Sequence, residues 1–227
     1  MAGFFRERGL WLAAVVVIMF AISLAQGGIS YTMAFGPLSG LLPKDRSVIG
    51  TVLVTLRFGV VALMAVLWAL RRKRALFRLI VVANALFTLA LLIHTSALIA
   101  VLFGGASAAV NALMLDVVLM ATSNILIFSV WYWIVDPPGV EEVPRADEPW
   151  DFLFPQRASA LPHYESWVPR YADYFFVAFT TSFAFSPTDT LPLTRRAKML
   201  MLLQAAISVI TLTGVAGSAI NILAGAK

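Results

Sequence analysis

What limits this chain most is a series of long apolar runs. Leu10–Ala25, Ser47–Leu70, Ala75–Phe103, Ala108–Val135 and Arg195–Ala224 are separated by short polar breaks. The first is lengthened by the apolar, Gly-broken stretch Gly27–Pro43. About 30 Å of hydrocarbon takes roughly 20 helical residues to cross. In lipid every backbone N–H and C=O must find a partner inside the chain, and helices satisfy them locally. Composition agrees: 60% of the 227 residues are hydrophobic and only 13% are charged. A soluble domain of this length needs more charge to cover its surface. The expected fold class is all-α, a polytopic helical membrane protein. It has about five transmembrane helices plus one short re-entrant or short-spanning helix.

The pattern divides the chain into three regions. Residues 1–135 read as a four-helix transmembrane bundle. Residues 136–170 are an acidic insertion rich in proline and aromatics, with Asp136, Glu141, Glu142, Asp147, Glu148, Asp151 and Glu165 against Arg145, Arg157 and Arg170. Its patch Trp150-Asp151-Phe152-Leu153-Phe154-Pro155-Gln156 is either a linker lying on the membrane interface or a cap over the hairpin C-terminal to it. Residues 171–227 read as a re-entrant helix, a Ser/Pro/Thr/Asp turn and a final transmembrane helix.

Arg71-Arg72-Lys73-Arg74 is the strongest orientation signal. Four cations in a short loop place it, and with it the N-terminus carrying Arg6 and Arg8, on the cytoplasmic side of the cell membrane. The same four residues are expected to meet anionic lipid headgroups. Ser23-Leu24-Ala25 resembles a signal-peptidase site, but the run is long for a signal and reads as an uncleaved first span. The chain has no cysteine and a net charge of +5. The basic excess belongs to topology and headgroups, and no nucleic-acid partner is expected.

Polar residues within the spans are few. Arg57 and Asp116 each lie about 15 Å from the outer ends of their helices, counted at 1.5 Å per residue. An ion pair between them is expected, because a lone intramembrane charge is costly. Asn84, His94, Ser123 and Asn124 are further polar positions inside the membrane. No His, Asp or Glu cluster has metal-ligand spacing, so no metal is expected. No nucleophile–base set and no phosphate-binding loop is present, so neither enzymatic activity nor a cofactor is expected.

The segment after the insertion carries the remaining signal. Tyr174–Phe185 is an aromatic apolar run that breaks at Ser186-Pro187-Thr188-Asp189-Thr190, and Pro187 and Pro192 prevent continuous helix. Thr181, Ser182, Ser186, Thr188, Asp189 and Thr190 are the candidate turn residues, either as caps and a kink or as a cation-attracting ring. This hairpin resembles the pore module of potassium-selective channels. Thr181-Ser182-Phe183-Ala184-Phe185-Ser186 lies along the filter strand, Asp189 near the acid at the filter's end, and Pro192 with Leu193-Thr194-Arg195 along the run into the inner helix. It is also similar to the C-terminal hairpin of uncharacterised bacterial multi-pass membrane proteins. The resemblance implies a pore-like fold, a homo-oligomer (a tetramer if channel-like) and cation conduction. It does not imply a standard potassium filter. Ala184 and Ser186 stand where glycines let successive carbonyls point inward, and Pro187 interrupts the spacing. A non-conducting scaffold or accessory subunit is the alternative expectation, with a small transporter behind it, since no inverted repeat is present.

Overall fold

The computed structural model describes residues 10–35, 46–103, 110–136, 150–159, 164, 167–184 and 189–225. Within the helices, side chains are described at 12–30, 55–99, 115–135, 171–184 and 195–214. Among the described residues seven helices follow in chain order: α1 (Leu10–Phe35), α2 (Arg46–Ala69), α3 (Lys73–Phe103), α4 (Val110–Val135), the short α5 (Pro155–Ala158), α6 (Tyr171–Ala184) and α7 (Arg195–Gly225). The two-residue strands β1 (Phe152–Leu153) and β2 (Leu191–Pro192) pair antiparallel, Phe152 opposite Pro192. The chain is an all-helical multi-pass membrane protein. Segments of α1, α3, α4 and α7 are long and apolar enough to cross a bilayer, and the described part of α2 adds a shorter apolar stretch, Thr55–Ala69. Apart from α1, which runs ten residues past Ala25, the long helices begin and end within a few residues of the apolar runs, because hydrocarbon forces each run to satisfy its own backbone.

Helix α4 is the axis of the bundle. It packs against α1, α3, α6 and α7, and it is the most enclosed of the four spans. Its apolar residues go all the way round, as a helix surrounded by others requires. Val117, Met120, Ile127, Phe128 and Tyr132 are all buried. Helix α1 turns Leu12, Val15, Met19, Ile22 and Ile29 into the bundle, and keeps Val17, Phe20 and Leu24 outward. Gly28 allows the close approach of α1 and α4: a Cβ there would stand 2.8 Å from Leu119 Cδ1. Outward positions are as apolar as inward ones, as on α3 (Val82, Leu86, Leu89, Ile93). Several hydroxyls within the spans are concealed by bonding to the carbonyl four residues earlier. Ser23 donates to Met19 O, Thr95 to Leu91 O and Thr211 to Ile207 O.

The basic turn between α2 and α3 is tightly closed. Arg71 sits at φ 58°, Arg71 N–H donates to Trp68 O, and Arg72 N–H donates to Leu67 O. That is a Schellman ending with an arginine where glycine is usual. Arg71 through Arg74 are all exposed.

Candidate functional site

Helix α6 is amphipathic in the sense suited to lipid. Phe175, Phe176, Phe179 and Phe183 form an exposed stripe, while Tyr171, Tyr174, Val177, Ala178, Thr181 and Ser182 face inward. Its start is capped by Asp173, whose carboxylate accepts from Arg170 N–H at 2.6 Å. At 1.5 Å per residue its 14 residues reach about 21 Å, short of a full crossing. Tyr174 near its start bonds Asp136 at the end of α4, and β2, the next strand after α6, returns to that same end through β1. The start of α6 and β2 therefore lie at the same end of the bundle.

Gln204 holds the hairpin to the bundle. It lies nine residues into α7 and is fully buried. Its amide nitrogen donates to Ala178 O at 2.7 Å and to Ser182 Oγ at 2.8 Å, both on α6. Its carbonyl oxygen accepts from the Tyr132 hydroxyl of α4. One turn deeper, Asn124 Nδ2 donates to Ser208 Oγ at 2.8 Å and to Gln204 O at 3.3 Å. Three helices thus share one polar network where hydrocarbon would leave each group unsatisfied.

A second polar cluster caps the end of α4. Asp136 Oδ1 accepts from the N–H groups of Asp151 (2.8 Å) and Phe152 (3.1 Å). Its Oδ2 accepts from the Tyr174 hydroxyl (2.7 Å) and from Arg157 Nη1 (3.1 Å). Arg157 also donates to Phe152 O and lies 4.2 Å from the centre of the Trp150 ring. Asp151, itself buried, accepts from the Thr194 hydroxyl and takes a two-pronged bond from Arg196, Nε at 2.7 Å and Nη2 at 2.5 Å. Leu193 N–H donates to Asp151 O. Phe152 packs edge-on to Tyr132 and Tyr174. Burial pushes the Asp136 carboxyl above its ordinary range, opposed by Arg157, the Tyr174 hydroxyl and the two backbone N–H groups. Of the two expectations for the aromatic patch, the cap is the one found over residues 150–159.

The sequence-derived candidates divide. Ser182 joins the Gln204 network, and Thr181 is buried beside it. Asp189 is exposed, and Thr190 is buried with its hydroxyl 3.3 Å from Asp189 Oδ1. Ser186 and Thr188 lie outside the described residues. Asn84 Nδ2 donates to Ile127 O at 3.2 Å, tying α3 to α4. Ser123 is buried. Arg57 is directed elsewhere than expected. Its guanidinium donates to Ser30 Oγ of α1 at 3.2 Å, and no Arg57–Asp116 ion pair occurs among the described residues. The reason is architectural: α2 packs on α1 and α3, while α4, which carries Asp116, is reached through those helices.

Compared with family models, curated proteins and solved structures, the chain matches none. Sequence reasoning misses the residues that organise the hairpin. Gln204 has a readable signal, an amide inside an apolar run. Asp136, Asp151, Arg157 and Arg196 have none, since each looks like an ordinary loop or flank charge until the loop folds back.

Proposed function

We propose that this chain is a non-conducting membrane scaffold or accessory subunit, seated in the cell membrane with the Arg71–Arg74 turn toward the cytoplasm and its anionic headgroups. The observation that carries this reading is the direction of Thr181 and Ser182. These are the residues that align with a filter strand, and they are turned into their own bundle, with Ser182 bonded to Gln204. A filter needs its oxygens on an open axis. The polar groups of the hairpin instead join helices, which is what a rigid platform requires.

A second reading, a cation channel formed between copies, is favoured by two observations. Asp189 is exposed at the turn, and the Phe175, Phe176, Phe179 and Phe183 stripe offers a second copy an apolar face. Cation flux in proteoliposomes separates the two. The scaffold reading expects flux at the level of protein-free vesicles for both the parent and Asp189→Ala. Flux above that level, reduced in Asp189→Ala, overturns it in favour of the channel.

A further inference from the structure

A groove of ≈ 380 Å³ lies between α1, α2 and α3, apart from the hairpin and its cap. Most of its wall is apolar. Leu56, Leu86, Leu89 and Ile93 stand on its rim and are exposed on the lipid-facing surface of the bundle. Three polar side chains interrupt that wall: Ser30, Arg57 and His94. Arg57 is half-buried, and among the described residues its one hydrogen bond is to the neutral Ser30 hydroxyl. No carboxylate lines the groove among the described residues. His94 is 8% exposed, and its Nδ1 has no hydrogen-bond partner among them. A guanidinium at membrane depth without an anion is costly, and so is a buried ring nitrogen without a partner. Arg57 lines the cavity, and a single anionic group there balances its charge.

We propose that this groove binds a long-chain carboxylate, its hydrocarbon tail along the α2–α3 wall and its head on Arg57. The head is fixed by charge. One guanidinium balances one negative charge, and its planar fork matches the two oxygens of a carboxylate. A phosphate monoester brings nearly two charges, one of which stays uncompensated. The tail is fixed by size. The cavity is at the low end of the roughly 300–1,000 Å³ of small-molecule sites, room for one acyl chain. Arg57 lies about 21 Å along α2 from the basic turn, at 1.5 Å per residue, so the ligand enters from the leaflet opposite that turn. Ser30 stays on Arg57.

Binding of radiolabelled palmitate to the full chain in neutral detergent micelles tests this. Saturable binding is expected, displaced by excess unlabelled palmitate but not by hexadecanol, acetate or phosphatidylglycerol at the same concentration. Arg57→Gln should weaken it at least tenfold, with Arg78→Gln, exposed and outside the groove, unchanged. Ala90→Phe, which fills the apolar part while leaving Arg57 in place, should abolish it. Equal displacement by hexadecanol means an apolar groove without head recognition and overturns the proposal. Equal displacement by phosphatidylglycerol makes the head a phosphodiester and overturns it as well. Should Arg57→Gln fail to fold, Ala90→Phe decides alone, and unchanged palmitate binding in that variant refutes the site.

Discussion

Replacing Gln204 by leucine tests whether the buried amide holds the hairpin to the bundle. Leucine is of similar size, so little cavity is expected and the effect reports polar contacts. Three hydrogen bonds vanish: to Ala178 O, to Ser182 Oγ and from the Tyr132 hydroxyl. Two magnitudes compete. In water-soluble proteins each such bond contributes about 0.5–1.5 kcal/mol, which gives roughly 1.5–4.5 kcal/mol for three. Within membranes, side-chain bonds between helices average about 0.6 kcal/mol, because the unfolded chain in lipid also finds partners. The lower figure governs here, and the orphaned Tyr132 hydroxyl raises it somewhat. The expected loss is about 2 kcal/mol. Unfolding of the full chain in mixed micelles by increasing dodecyl sulfate, followed by tryptophan fluorescence, reads it directly. Tyr132→Phe should cost less, and Tyr132→Phe with Gln204→Leu should cost less than the two singles together, by about 0.5–1 kcal/mol of coupling. A Gln204→Leu loss under about 0.5 kcal/mol, or strict additivity with Tyr132→Phe, refutes the network as a determinant of hairpin packing.

The raised Asp136 carboxyl gives a pH signature. Because its folded-state value lies above the unfolded one, the folded chain holds a proton that the unfolded chain has released. Its contribution to stability is therefore full below the ordinary carboxylate range and is lost as pH rises through the folded value. Thermal midpoints measured across pH should show this slope in the parent. It should vanish in Asp136→Asn and move to higher pH in Arg157→Gln, which removes the chief charge opposing burial. At the α2–α3 turn, Arg71→Gly should stabilise the chain by about 1 kcal/mol, since glycine takes the left-handed conformation without the Cβ penalty. A lower midpoint in that variant argues that the Arg71 side chain matters more than its backbone.

Much of this molecule is legible along the chain. Helix existence and boundaries are read from runs of Val, Leu, Ile and Ala, because each helix in lipid satisfies its backbone from within four residues. The break after α6 is read from Pro187 and Pro192. Asn124 reads as an intramembrane polar residue, but its partner, Ser208, lies in α7, and no local pattern links the two. The Arg57–Asp116 pairing fails for the same cause. Matched depth is a property of two separate helices, whereas contact depends on which helices are neighbours, and α1 offers Ser30 instead.

The amino-acid sequence by itself determined the membrane class, the long helices and the interruption between α6 and α7. These rest on interactions within a few residues and on the cost of polar groups in hydrocarbon. Only the tertiary structure decided that α4 is the axis, that Gln204 joins three helices, and that residues 150–159 fold back so that Asp136 and Asp151 close the end of the hairpin. Those contacts join residues far apart in the chain, and they arise from the packing of helices whose lipid-facing and inward faces are equally apolar. That equality removes the hydrophobic stripe by which inward faces are read in water-soluble bundles.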